Sequence, residues 1–170
     1  MKSALLVVIL AGSILAAIDG AEAGDRILPR GFVADKVVVY KQRRELILLK
    51  DVDTIKTYRI SLGPSPIGPK ERQGDGRTPE GRYRIDWRKT NSAYHLALHI
   101  SYPSSFDKAR ARRRGVSAGG MIMIHGMPNN YNWDGRPLPD WTDGCIAVTN
   151  SEIEELWRCI PDGTRIDLRP

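Results

Sequence analysis

Between Gly63 and Gly81 glycine and proline recur so densely that neither a helix nor a central strand can cross the segment. Pro64, Pro66 and Pro69 each lack the N–H that a sheet ladder needs. Gly74-Asp75-Gly76 and Thr78-Pro79-Glu80-Gly81 add turn chemistry. The core must therefore come from short segments on either side. Residues 37–40 and 45–50 are apolar runs joined by Lys41-Gln42-Arg43-Arg44, a hairpin-like pair, and residues 54–62 alternate with β-branched side chains. Further strand signals lie at 83–87, 94–101, 121–125, 145–148 and 165–168. A short helix is expected over 105–114, ended by Gly115. A second is opened by the capping pattern Ser151-Glu152-Ile153-Glu154 and stopped by Pro161. Many short strands, Gly/Pro turns and one or two short helices predict a mainly β domain, a sandwich or barrel-like fold.

The first 23 residues stand apart. Lys2 gives a positive start, residues 4–18 are uncharged and apolar, and Ala21-Glu22-Ala23 has the form of an export cleavage site. The apolar stretch is shorter than the roughly 18 residues of a membrane span, so a cleaved signal peptide is expected, without stable membrane insertion afterwards. Residues 24–35 read as a linker, and 36–170 as a single domain. Loss of Lys2, Asp19 and Glu22 would raise the formal net charge from +6 to +7. A basic exported domain suits an anionic polymer or a carboxylate-bearing substrate. Nucleic acid is disfavoured, because Lys108, Arg110, Arg112, Arg113 and Arg114 have no interleaved aromatics on which bases would stack.

The chemistry concentrates in two short stretches, Ile124-His125-Gly126 and Thr142-Asp143-Gly144-Cys145-Ile146-Ala147. A thiol attacks only as thiolate, and a neighbouring imidazole is the usual means of making one near neutral pH. Gly144 lets the backbone approach a reacting carbonyl, where an amide N–H can stabilise an oxyanion. The competing reading is a disulfide between the only two cysteines, Cys145 and Cys159, in a non-enzymatic binding module. Against it, Cys159 falls on the apolar face of the second helix with Ile153, Leu156 and Ile160. His95 and His99 share a strand face, but roughly 13 Å of strand separates them, too far to hold one metal ion together. No metal site is expected.

These residues resemble the L,D-transpeptidase catalytic domain (YkuD-type) family: His125, then sixteen residues, then Thr142-x-Gly144-Cys145, with Thr78-Pro79-x-Gly81 upstream. The similarity runs from about Lys36 to Leu168. The resemblance implies a β-sandwich, a periplasmic or cell-wall location and chemistry on peptidoglycan stem peptides without a cofactor. It implies Cys145 as nucleophile forming a thioester, His125 as general base and Gly144 at the oxyanion site. Thr142, Asp143, Tyr102 and Arg136 are candidate substrate contacts, and Trp141 stands beside them. Two departures stand out: Asp143 where many members carry histidine, and Ala147 where many carry arginine. The Asp143–Asn150 run, with Ile100-Ser101-Tyr102-Pro103, is closer to a YafK-like branch, which implies a hydrolase acting on the peptidoglycan–lipoprotein link as the alternative to transpeptidation.

Overall fold

The computed structural model describes residues 27–131 and 139–170. The elements run β1 (Lys36–Tyr40), β2 (Glu45–Lys50), β3 (Asp53–Arg59), β4 (Gly81–Ser92), β5 (His95–Ile100), α1 (Ser105–Arg113), β6 (Met123–His125), β7 (Ile146–Ala147), α2 (Asn150–Cys159) and β8 (Arg165–Arg169). The strands pair in the order β3-β2-β1-β8-β4-β5-β6-β7. Strand β4 is longer than its sequence pattern suggested. It pairs with β8 through Gly81–Arg84 and with β5 through Ile85–Ser92, and two register shifts let it turn from one half of the sheet into the other. Beyond β3, the chain that the alternation had assigned to the strand leaves β2. There Ser61 exchanges both backbone hydrogen bonds with Ala147 of β7, at 2.9 Å each, joining the two ends of the sheet.

Alternation dictates the inside. Val37, Val39, Leu46, Leu48, Ile166 and Leu168 point one way from the first half, and Leu98, Ile100, Ile124 and Ile146 come from the second. With Ile153 and Leu156 of α2 they form one core cluster, the sandwich-like arrangement the sequence predicted. The capping box of α2 sits two residues earlier than the sequence reading: Thr149 caps the Glu152 N–H, and Glu152 reaches back to the Thr149 N–H at 2.8 Å. That frame turns Ile153 and Leu156 into the core.

One expectation is corrected, and one alternative is removed. The described part of the 24–35 stretch is packed on the domain and is no linker. Leu28 and Ala34 are buried, the Leu28 N–H donates to Glu155 Oε1 at 2.8 Å, and the Ala34 N–H donates to the Cys159 carbonyl at 2.8 Å. Glu155 also accepts from Lys56 Nζ at 2.6 Å and the Tyr58 hydroxyl at 2.9 Å, so one buried carboxylate ties this segment to α2 and β3. The alternative removed is the disulfide: both cysteines are free thiols, in line with the preferred reading. The ten-residue α2 carries Cys159 about 14 Å along its axis from the helix start, away from the turn that holds Cys145. Among the described residues no helix is long and apolar enough to cross a membrane; residues 4–18 lie outside them.

Candidate active site

Strands β6 and β7 are parallel neighbours, with Ile124 opposite Ile146 and His125 opposite Ala147. Cys145 immediately precedes β7, so its side chain and that of His125 leave the pair on the same face, as diagonal neighbours. Such neighbours are about 7–8 Å apart, a gap that long and aromatic side chains reach across.

His125 is buried, with 3% of its surface exposed. Its Nδ1 lies 2.7 Å from the Gly126 carbonyl oxygen. A carbonyl only accepts, so Nδ1 carries the proton and Nε2 holds the basic lone pair. The ring packs against Tyr94, centroids 4.6 Å apart, and against Trp141, 5.6 Å away edge-on, and those two rings also touch each other at 5.8 Å. Burial lowers the imidazole pKa below its ordinary value, outweighing the hydrogen bond to Gly126 that favours the cation. The position of the ring depends on a glycine. A Cβ at Gly126 would lie 2.6 Å from Asn150 Oδ1 and 3.0 Å from Ile153 Cγ2, so only Gly lets α2 approach β6 this closely.

Cys145 is partly exposed, and its thiol reaches the Met121 carbonyl at 3.5 Å. Met121 holds a left-handed backbone, φ +57°, a conformation that costs a non-glycine residue roughly 1–2 kcal/mol. Desolvation raises the thiol pKa above its ordinary value; Asp143 raises it further, while a Met123 backbone hydrogen bond and the Lys70 charge oppose. At neutral pH the resting pair is therefore a thiol beside a neutral imidazole.

The turn before the cysteine is braced by polar groups. Thr142 is buried; its N–H donates to the Leu62 carbonyl at 3.0 Å, and its hydroxyl donates to the Cys145 carbonyl at 2.8 Å. That hydroxyl also accepts from the Gly144 N–H at 3.2 Å. Thr142 thus serves the turn, and the Gly144 N–H is engaged. What Gly144 contributes is space: at φ +112° a Cβ would collide with the Arg77 carbonyl oxygen. The Thr78 hydroxyl donates to the Gly144 carbonyl at 2.9 Å, so the Thr-Pro-x-Gly turn forms the back wall of the cysteine turn.

Behind that wall stand groups that sequence reasoning missed. Lys41, 1% exposed, donates to the Gly68 and Thr78 carbonyls at 2.6 and 3.0 Å and to Glu80 at 2.8 Å, joining the two Gly/Pro loops. Asp75 accepts from Lys70 Nζ at 2.7 Å and from the N–H groups of Glu71, Arg72 and Arg77. Burial works against its ionisation, but those bonds hold its pKa down at about 2. Asp140 receives the Arg44 guanidinium and the Leu62 N–H, anchoring the chain where it re-enters the site. Lysines and aspartates in loops look like solvated surface in a sequence, and no periodicity marks them. Only the Thr78-Pro79 motif offered a signal.

The remaining candidates separate. Asp143 is exposed beside the thiol. Tyr102 departs from its expected role as a substrate contact: it is 3% exposed, its ring packs edge-on against Tyr83, and its hydroxyl donates to the Ala118 carbonyl at 2.9 Å. Burial raises its pKa to about 12. Arg136 lies outside the described residues. His95 pairs with Glu154 at 2.7 Å; His99 pairs with Asp86 at 2.6 Å and stacks on Trp87. Among the described residues no three His, Cys, Asp or Glu side chains converge as metal ligands would.

Residues 34–168 match the L,D-transpeptidase catalytic domain family, YkuD. Among curated proteins, YafK of Escherichia coli (strain K12) is 28% identical over 130 residues, 73% of this chain and 46% of its own length. YqjB of Bacillus subtilis (strain 168) is 28% identical over 134 residues, 76% of this chain and 68% of its own. Both carry L,D-transpeptidase in their names, and the chain spans just under half the length of YafK. Among solved structures, the helical cell shape determining protein Pgp2 of Campylobacter jejuni superposes with a TM-score of 0.61 at 26% identity, covering 86% of this chain and 52% of that one. An L,D-transpeptidase from Xylanimonas cellulosilytica shares the fold, with a TM-score of 0.54 at 20% identity, over 86% of this chain and 65% of that one.

Proposed function

The chain belongs to the L,D-transpeptidase catalytic domain family, and from that premise we propose that it is an exported cysteine acyltransferase acting on peptidoglycan stem peptides. The carrying observation is the placement of Cys145 and His125 as diagonal neighbours on paired parallel strands, with the imidazole held as its Nδ1–H tautomer. His125 Nε2 takes the Sγ proton as the sulfur attacks the carbonyl carbon of the stem peptide's third residue. The Cys145 N–H stabilises the oxyanion, since the Gly144 N–H is already held by Thr142. Collapse breaks the C–N bond. The proton returns from Nε2 to the departing amine of the terminal D-alanine, leaving a thioester on Cys145. An acceptor amine then attacks the thioester, His125 takes its proton, and the thiol is regenerated. No cofactor enters the scheme. Exposed Asp143 binds the ammonium of the substrate's diamino acid. The apolar 4–18 stretch and Ala21-Glu22-Ala23 support export to the periplasm or wall.

The test is mass spectrometry of muropeptides after incubation with diaminopimelate-containing tetrapeptide substrates, with Cys145→Ala as control. Cysteine-dependent dimers lacking one D-alanine are the expected product. Release of free lysine-terminated peptide from lipoprotein-linked muropeptides, without dimers, would make water the acceptor and the protein a hydrolase. Identical spectra for both proteins on both substrates would refute the acyl-transfer reading.

A further inference from the structure

The outer face of β1, β8 and β4 carries a charge pattern that the proposed chemistry does not use. Its inner residues alternate into the core, so the charged outward positions are Lys36 on β1, Arg165, Asp167 and Arg169 on β8, and Arg82 and Arg84 on β4, with Val38 and Tyr40 of β1 on the same face. Lys36 stands directly opposite Arg165, and Arg165 directly opposite Arg84. Three cations therefore form one cross-strand row, at about 4.8 Å per strand. Like charges directly opposite each other destabilise a sheet. One carboxylate serves five cations here: Asp167 pairs with Lys36 at 2.7 Å and with Arg169 at 3.4 Å. Arg84 donates to the Gly163 carbonyl at 2.7 Å. The Arg82 and Arg165 side chains have no hydrogen bond or ion pair among the described residues, although their backbones belong to the ladder. The local excess of four positive charges compares with a net charge of +6 for the whole chain.

Two clefts of about 520 Å³ each open on this face, and Arg82 and Arg165 line both. Four of the five cations are arginines, whose planar guanidinium matches phosphate bidentately. The nearby aromatic already carries two guanidinium groups: Arg43 lies 5.0 Å and Arg169 5.5 Å from the Tyr40 ring, so a nucleic-acid base would have to displace a cation to stack there. Among the described residues, none of the exposed large apolar side chains stands on this face, so the face itself offers no group to insert into a bilayer.

We propose that the Lys36–Arg165–Arg84 row and its flanking arginines bind a phosphodiester polymer that carries no bases. Binding is electrostatic, independent of the cysteine site, and offsets the repulsion built into the row.

The experiment is fluorescence anisotropy of a labelled poly(glycerol phosphate) chain titrated with the protein, from about 50 to 200 mM salt. Arg84→Gln/Arg165→Gln should weaken binding about tenfold and flatten the log–log salt slope by about two, one per lost phosphate contact. Arg112→Gln/Arg113→Gln, which removes two exposed arginines of α1, should leave binding within about twofold. Arg165→Gln alone should raise Tm, because it relieves the like-charge row; a purely structural arginine would lower it. The alkylation rate of Cys145 reports that the fold is intact in each variant. Equal loss in both double variants would reduce the effect to net charge and overturn the site. Tighter binding of duplex DNA, or binding of phosphatidylglycerol vesicles without the polymer, would overturn the proposed ligand.

Discussion

Thr142→Val tests whether the cysteine turn is held from within. Valine keeps the side chain's shape and β-branching and removes only the hydroxyl, which donates to the Cys145 carbonyl at 2.8 Å and accepts from the Gly144 N–H at 3.2 Å. Thr142 is 4% exposed and Gly144 is buried, so water cannot replace the lost acceptor at the Gly144 N–H. Leaving a buried donor unsatisfied costs about 1–3 kcal/mol, and the second hydrogen bond adds about 1 kcal/mol. The expected destabilisation is about 2–4 kcal/mol, read by thermal unfolding as a Tm lowered by about 5–15 °C. Thr142→Ser keeps both bonds and should recover most of the loss. In the muropeptide assay the valine variant should lose kcat, because the Cys145 backbone is what the hydroxyl positions. A valine variant with unchanged Tm and a raised KM would refute the bracing argument and return Thr142 to the role of a substrate contact.

Two further outcomes follow from the charges around the turn. Alkylation of Cys145 by iodoacetamide should rise with pH to a midpoint above the ordinary thiol range, since desolvation and Asp143 both disfavour the thiolate; Asp143→Asn should move that midpoint down, and a rate already at its plateau near neutrality would mean a preformed ion pair. Asp75, held at about 2 when folded against about 3.9 unfolded, contributes stability that is complete above the unfolded value and lost as pH falls from about 4 to about 2. Asp75→Asn should cost about 3–5 kcal/mol at neutral pH, because it leaves Lys70 buried without its counter-ion, and it should flatten the acid limb of the unfolding curve; an unchanged limb would show that another carboxylate sets it.

The fold was legible where burial follows a period. Val37 and Val39, Leu46 and Leu48, and Ile166 and Leu168 announce their strands because alternate side chains must meet the core. Periodicity fails at the ends of elements. Thr149-x-x-Glu152 and Ser151-x-x-Glu154 satisfy the same capping pattern, and only the packing of Ile153 and Leu156 selects the first. The strand signal running to Leu62 does not contain the reason β3 stops at Arg59, which is a hydrogen-bonded partner 86 residues further on, Ala147 for Ser61. Tyr102 and the 27–35 segment were misread for one shared reason. Short apolar residues beside prolines and charges look like loop, and their burial depends on neighbours distant in sequence, Ala118 for the one and Glu155 and Cys159 for the other.

At the candidate site, the motif was enough to single out Cys145 and His125, which the fold brings to one face of neighbouring strands; their electrostatics were not legible. The motif alone suggests an activated thiolate beside a second histidine. In this chain that histidine is Asp143, the arginine two residues past the cysteine is Ala147, buried in the bridge to Ser61, and the cation that acts on the sulfur, Lys70, is held by Asp75. Desolvation and Asp143 push toward a protonated thiol, and the Lys70 charge opposes them without reversing the direction. Burial against Tyr94 and Trp141 likewise lowers the His125 pKa and favours the neutral imidazole. In the proposed chemistry the proton therefore moves during attack on the carbonyl, as it does for a serine–histidine pair, and not before it. A thiol kept protonated at rest also resists oxidation, which follows thiolate character. On the proposed chemistry, the same surroundings that weaken the free Cys145 nucleophile would protect it until substrate arrives.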